Sequence, residues 1–386
     1  MKSFAIVLVC YKRLDGIKRL VGSLEKVDYC GRNDINLIFS IDYSGNSDVE
    51  IFANNYQWRF GPKFVRAFKE KQGLKKHILS CGDYTDDFDI VTVLEDDTFV
   101  SNSFFSYAYQ ASEFYYSDDR IGGVSLYAYQ KNWLKWLLRF EPQKTEHDVY
   151  FMKIAQSWGQ VWTKPQWRNF RNWLSTNSVF EKYDDIPFNL NSWPETSWLK
   201  FYCLYLIRTN RYFVYPYYGM STNCSEIGEH ASLRSTDYQV ELIENKAKWS
   251  FDIFNPDKSV IYDEYMERCG LGKYVGVDDD ELTVDLYGTR NKKYYKRYVL
   301  SMEGLGYRRL KSFDLCLHPI EQSIIHGLPG SSIILYDSSI VDSSSNTHFD
   351  EQLLIYSIRS SDFNQICKLL LSSKIRKKMM KILRKE

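Results

Sequence analysis

"DIVTVLEDDTFVSNSFF", residues 89–105, decides how this chain is read. Ile90, Val91, Val93 and Leu94 make a nearly unbroken apolar run, the pattern of a strand buried on both faces of a parallel sheet. The run stops at Glu95, Asp96 and Asp97, and Phe99, Val100, Phe104 and Phe105 follow directly. Three adjacent carboxylates repel one another and make a poor core. They suit a divalent cation held by one or two carboxylates, diphosphate oxygens and water. They also suit a solvated turn before a helix, because acidic residues favour helix N-termini. The triplet alone leaves both readings open.

Outward from this stretch, residues 1 to about 130 alternate apolar runs with helical spacing. "FAIVLVCY" reads as a first buried strand. Its apolar core is only Phe4 to Cys10, and Tyr-Lys-Arg follows where small residues should mark cleavage, so a strand is expected here rather than a secretory leader. Ile17, Leu20, Val21 and Leu24 then predict a helix, with Asp15 as its N-cap. "NLIFSID" is a second strand ending at Asp42, "SDVEIFANNYQ" a helix, and "FVRAF" a third strand. A further helix follows Gly73, and "NSFFSYAYQASEFYY" predicts the helix after the acidic triplet. This alternation predicts an open α/β sheet with ligands at the carboxyl ends of its strands. Asp42 and Glu95–Asp97 should therefore line one crevice.

Beyond residue 120 the chain becomes irregular and rich in aromatics. From about residue 251, "LTVDLYG", "RYVLSM", "FDLCLHPI" and "SSIILYD" read as short strands of a smaller β-rich region. The expected domains are 1–250, divided into halves 1–130 and 131–250, then 251–365, then a terminal helix at 366–386. With 44% hydrophobic and 26% charged residues, the composition is globular rather than disordered. No apolar run reaches the roughly 20 residues that span a bilayer. The eight cysteines are scattered without a C-x-x-C pair, which fits reduced thiols in the cytoplasm better than disulfides or zinc.

Four segments resemble the GT-A nucleotide-sugar glycosyltransferases, especially bacterial family 2-type enzymes and the N-acetylglucosaminyltransferase I group. "IVLVCYKRLDGIKRLVGSL" is similar to their opening strand, loop and helix. "IFSIDYSGN" resembles the second strand with its terminal Asp. "VLEDDTFVSNSFF" resembles the D-x-D element in an E-D-D form, and "GQVWTKPQW" the acceptor-side stretch. The likeness runs over roughly residues 3 to 235. It implies a Rossmann-like mixed, mostly parallel sheet flanked by helices, with the β-rich region and a basic amphipathic helix appended.

The resemblance also implies roles. Asp97 would bind Mn²⁺ or Mg²⁺ directly. Asp96 would lie near the ribose or a metal-bound water, with Glu95 supporting from behind. Cys10, Tyr11 and Arg13 would lie near the nucleotide base, and Asp42 would hydrogen-bond the base or ribose. Lys71 and Gly73 would approach the diphosphate of a nucleoside-diphosphate sugar, a uridine one by expectation. Inverting transfer needs a general base. Glu195 in "NSWPETSWLKF" is the expected one, with Trp193 and Trp198 as an apolar wall that stacks on sugar and raises the carboxyl pKa; Asp184 and Asp185 are the fallback. The segment departs from the W-D-D-W form of its relatives. His230, in "GMSTNCSEIGEHAS", would contact metal or phosphate, with Glu226 and Glu229 as lesser contributors. One or two of Trp158, Trp162, Trp167 and Trp173 would touch the acceptor sugar.

Residues 368–386 carry eight Lys/Arg and one acid, whereas the whole chain has a net charge of only +1. Ile366, Leu370, Ile375, Met379 and Leu383 lie near one helical face, so an amphipathic helix on an anionic membrane is expected. No nucleic-acid recognition motif accompanies it. Together these readings predict a peripheral enzyme at the cytoplasmic face of a cell membrane. Its acceptor would be a glycan, lipid-linked by expectation, in the synthesis of a bacterial surface polysaccharide such as a capsule. Two rivals remain. A sugar nucleotidyltransferase should carry a glycine-rich phosphate loop after the first strand, where this chain has "CYKRLDG". A non-catalytic glycan-binding protein on the same scaffold should lack an intact acidic set.

Overall fold

The structure, a computed structural model, describes residues 1–135, 138–224 and 238–342, together with Leu353 and Tyr356. His230, Glu226, Glu229 and the expected terminal helix lie outside the described residues. The chain divides into two units. The first comprises residues 1–130, 142–270 and 289–294, the second residues 131–141, 271–288 and 295 onward.

In the first unit, strand β1 (Phe4–Cys10) is buried at all seven positions. Helix α1 (Leu14–Leu24) follows it. The helix starts one residue before Asp15, so Arg13 takes the cap position and Asp15 falls in the first turn, where a negative charge favours the helix dipole. Ile17, Leu20, Val21 and Leu24 bury the face that faces the sheet. Then come β2 (Ile35–Ile41), α2 (Asp48–Asn55), β3 (Lys63–Ala67), α3 (Leu74–Gly82) and β4 (Ile90–Glu95). The acidic triplet closes β4 and leads into a short strand β5 (Thr98–Val100) and helix α4 (Phe104–Phe114).

The irregular aromatic stretch holds more regular structure than its sequence pattern predicts. It contains β6 (Ile121–Ser125), β7 (Val149–Met152), β8 (Gln160–Thr163), helices α5 (Lys164–Thr176), α6 (Phe188–Ser192) and α7 (Trp198–Arg208), β9 (Tyr212–Pro216) and β10 (Ser221–Asn223). With β11 (Ile261–Tyr262), the described residues form a nine-stranded sheet of order β11-β7-β9-β6-β8-β4-β1-β2-β3. The pairs β11–β7, β9–β6, β4–β1, β1–β2 and β2–β3 are parallel. The pairs β7–β9, β6–β8 and β8–β4 are antiparallel. This is the mixed, mostly parallel, helix-flanked sheet expected. One sheet edge collects the carboxyl ends of β1, β2, β4, β6 and β9 and the amino end of β8. Of the four tryptophans among which one or two are expected to touch sugar, two pack the α5 side of the sheet. Trp162 and Trp167 are buried with ring centres 4.4 Å apart. Gly82 ends α3 against Trp167, where a Cβ would stand 2.1 Å from the indole, so only glycine permits this approach.

The second unit is β-rich. Its sheet has the order β12 (Leu282–Val284), β13 (Tyr298–Ser301), β15 (Ile333–Val341), β14 (Tyr307–Phe313). Leu282, Leu300, Phe313, Ile333 and Leu335 build its core. "FDLCLHPI" is not a strand beyond Phe313. The ladder runs instead through the preceding "YRRLKSF", an edge strand whose charged residues hide it from hydrophobic patterning. Among the described residues no helix is long and apolar enough to cross a membrane, and every cysteine is a free thiol.

Candidate functional site

Asp42 is the first residue beyond β2 and is 5% exposed. Its Oδ1 accepts the backbone N–H of Tyr43 at 2.9 Å and of Gln72 at 2.7 Å. Its Oδ2 accepts that of Gly73 at 3.0 Å. Gly73 caps α3 at φ +75° and ψ 156°, a region that side chains avoid, although its surroundings leave room for one. Asp42 thus fastens the Lys71–Gly73 loop to the sheet edge. A second tie lies one turn into α3. His77 Nε2 is 2.8 Å from Ser40 Oγ, and Arg66 Nη2 donates to the same oxygen at 2.8 Å and to Ser80 Oγ at 3.0 Å. Burial pulls the His77 pKa down to about 4; Asp42 opposes this and Arg66 adds to it, so the ring is neutral at pH 7.

The acidic triplet lies on the same sheet edge as Asp42, with β1 between their strands. Val9 pairs with Glu95 in the β1–β4 ladder, and Asp42 donates its N–H to the Cys10 carbonyl at 2.9 Å. Burial raises the Glu95 pKa well above the carboxylate range, and the charges of Asp97 and Asp96 add to the effect. Burial also pushes Asp96 up to about 6, against the opposing pull of Arg13. The Arg13 guanidinium bonds Asp96 Oδ1, and the same Nη2 lies 3.2 Å from Asp97 Oδ2. Burial works against the Arg13 charge, but Asp96 and Asp97 outweigh it and raise its pKa. The other oxygen, Asp97 Oδ1, is buried and has no hydrogen-bond partner among the described residues.

That orphaned oxygen tests the cation reading. Among the described residues no three His, Cys, Asp or Glu side chains converge on one point fit for a metal. A cage made wholly by the protein is therefore absent from the described residues. A hard cation ligated by one Asp oxygen, with diphosphate and water completing its shell, fits Asp97 Oδ1. Asp97 is further placed by a small ladder that the sequence pattern does not reveal. β5 pairs antiparallel with β10, Thr98 opposite Asn223, and Cys224 donates its N–H to the Asp97 carbonyl at 2.7 Å. Three-residue strands carry too little periodicity to be read in advance.

The first loop is arranged differently from expectation in one respect. Cys10 closes β1 rather than opening the loop, and its thiol is buried, with Sγ 3.5 Å from the Leu8 carbonyl. Burial raises its pKa. Tyr11 is half-buried, with the Lys12 and Lys71 ammonium groups 5.5 and 5.2 Å from its ring centre.

Glu195 is exposed, just before α7. Its carbonyl accepts Lys75 Nζ at 3.1 Å, and Lys75 belongs to the first turn of α3, two residues from Gly73. Of the fallback acids, Asp185 is paired with Arg208 through bonds of 2.7 and 2.9 Å, and Asp184 is exposed. The expected tryptophan wall does not form. Trp198 is buried against Trp162 and Tyr202, at 5.7 and 6.0 Å, because it opens the inner face of α7. Trp193 is half-buried, and its carbonyl accepts Lys200 Nζ at 2.7 Å. Trp173 is half-buried beside Tyr205. Trp158, just before β8, lies 4.7 Å from both Tyr127 and Tyr238. Tyr127 and Tyr238 drew no notice in the sequence, since nothing in their spacing brings them to the strand-end edge.

No known family's sequence profile matches the chain, and no curated protein matches it. Among solved structures, it is similar to S. aureus TarS 1–349 in complex with UDP-GlcNAc, at 15% identity over 60% of this chain and 60% of that one, with a TM-score of 0.39. It is similar to GalNAc-T7 with UDP, GalNAc and Mn²⁺, at 12% identity over 56% of this chain and 42% of that one, TM-score 0.39. It is also similar to the mannosyltransferase PcManGT from Pyrobaculum calidifontis in complex with GDP-Man and Mn²⁺, at 12% identity over 47% and 48%, TM-score 0.29. The matched region thus spans about six tenths of the TarS 1–349 chain.

Proposed function

We propose that the protein is a cation-dependent inverting glycosyltransferase that takes a sugar from a uridine-diphosphate donor to a glycan acceptor. The observation that carries this reading is Asp97 Oδ1, buried without a partner among the described residues two positions beyond β4, on the edge where Asp42 follows β2. A cation at Asp97, Mn²⁺ or Mg²⁺, would neutralise charge building on the departing diphosphate. Asp42 keeps the Lys71–Gly73 loop in place, and Lys71 supplies positive charge for phosphate. Asp96 and Glu95 support Asp97, and Tyr11 offers a face for the base. Glu195 is the proposed base that removes the acceptor hydroxyl proton. Its support is the tie through Lys75 to the turn of α3 that caps on Asp42. Trp158 is the tryptophan proposed to meet the acceptor, since it is half-buried at the strand-end edge.

Residues 1–250 would carry this chemistry. The acceptor is proposed to be lipid-linked, in surface polysaccharide synthesis, with residues 366–386 holding the enzyme to the cytoplasmic face of the membrane and His230 joining the metal or phosphate. The membrane role rests on the basic amphipathic pattern, the His230 role on the family resemblance, and the acceptor on both. Titrating UDP and UDP-sugars with and without Mn²⁺, and measuring sugar release, tests the reading. Cation-dependent binding with slow donor hydrolysis is expected, and Asp97→Ala should abolish the cation dependence. No nucleotide binding in either condition would overturn it.

A further inference from the structure

The acidic triplet already has a cation of its own. A single guanidinium nitrogen of Arg13 bridges Asp96 Oδ1 and Asp97 Oδ2. Asp97 is thereby divided, with Oδ2 held by Arg13 and Oδ1 buried without a partner among the described residues. A divalent ion at Oδ1 would share this carboxylate with the guanidinium, and like charges so close repel strongly away from bulk water. One of the two cations has to move. The carboxylates have less freedom: the Asp96 side chain is 5% exposed and that of Asp97 20%, and the Asp97 main chain is held by the Cys224 N–H. Arg13 has more freedom, because its side chain is 25% exposed and its backbone, at φ −88° and ψ 84°, precedes the helix.

We propose that Arg13 is the resident counter-cation of this site, and that a divalent cation loads by displacing its guanidinium from Asp96 and Asp97. This rests on the cation reading above and adds a control to it. The planar fork of a released guanidinium matches diphosphate oxygens. The incoming nucleotide therefore gives Arg13 a new partner as the cation takes the old one. Cation without nucleotide binds weakly, and the two load together.

The test measures Mn²⁺ binding to the full chain without nucleotide, from the free-ion resonance signal, for wild type, Arg13→Gln and Arg13→Lys. Arg13→Gln should bind Mn²⁺ tighter, on the order of tenfold, and Arg13→Lys, which keeps the charge, should stay near wild type. Adding UDP should raise Mn²⁺ affinity more in wild type than in Arg13→Gln. Equal or weaker Mn²⁺ binding by a folded Arg13→Gln overturns the proposal, because Arg13 would then be arranging the carboxylates for the ion. A second measurement needs no variant. Mn²⁺ alone should increase phenylglyoxal labelling of Arg13 in the wild type, and UDP added with Mn²⁺ should reduce it again. Labelling unchanged or lowered by Mn²⁺ also overturns the proposal. If neither wild type nor variant binds Mn²⁺, with or without UDP, the cation reading itself fails, an outcome distinct from Mn²⁺ binding that is indifferent to Arg13.

Discussion

Gly73 donates its backbone N–H to Asp42 Oδ2 at 3.0 Å, which joins the cap of one helix to the carboxyl end of a strand. The bond needs a backbone that only glycine adopts without strain. Gly73→Ala should cost about 1–3 kcal/mol in chemical denaturation of the protein. It should weaken UDP binding as well, because Lys71 and Gln72 lose their fixed position. An alanine variant with unchanged stability and unchanged nucleotide affinity would remove this loop from the site.

Glu195→Gln should preserve nucleotide binding and eliminate transfer to acceptor. The substitution keeps size and removes the proton acceptor, and general-base catalysis contributes typically 10²–10⁴-fold. Transfer in the variant at near wild-type rate, followed by product chromatography, would move the base to another acid such as Asp184.

His77 makes stability depend on pH. Its pKa is about 4 in the native protein and 6.5 in the unfolded chain, so the unfolded chain takes up the proton first as pH falls. The contribution is complete above pH 6.5 and is lost on acidification toward pH 4, up to about 3 kcal/mol. His77→Gln, which can still bond Ser40, should melt with a shallower pH dependence across that window. Parallel melting curves for variant and wild type from pH 7 to 4 would refute the assignment.

Trp198 supports the fold and makes no wall for sugar. Trp198→Ala should destabilise the protein by about 3–5 kcal/mol, the usual cost of emptying a large aromatic site in a core. Where the variant stays folded, nucleotide affinity should hold. Selective loss of acceptor binding at wild-type stability would return this residue to the site.

β1, β2 and β4 were legible because each is a nearly continuous apolar run. The helices between them were legible from the spacing of Ile17, Leu20, Val21 and Leu24 and its counterparts. The placement of Asp42 and Asp97 just beyond strand ends was legible because each follows an apolar run. The start of α1 falls two residues earlier than the expected Asp15 cap, since Arg13 takes the cap position without a side-chain hydrogen bond. The tryptophans misled because bulk and aromaticity serve a core and a sugar equally. Trp198 and Trp162 went to the core once α5 and α7 packed on the sheet. β5, β10 and the charged edge strand β14 were invisible to periodicity, being too short or too polar. The Arg13 bridge had no local signal, since its partners lie more than eighty positions away.

The small β5–β10 ladder has a mechanical consequence. Glu95 belongs to the large sheet through Val9, and Thr98 belongs to the two-stranded ladder through Asn223. Asp96 and Asp97 are the linkage between these two ladders, and Asp97 is tied to the second through its carbonyl, which accepts the Cys224 N–H. Their aim is therefore set by the angle between two separate hydrogen-bonded frames. A substitution at Asn223 that slips the register would turn the Asp97 carboxylate as surely as a change beside it, without touching a single residue of the acidic motif.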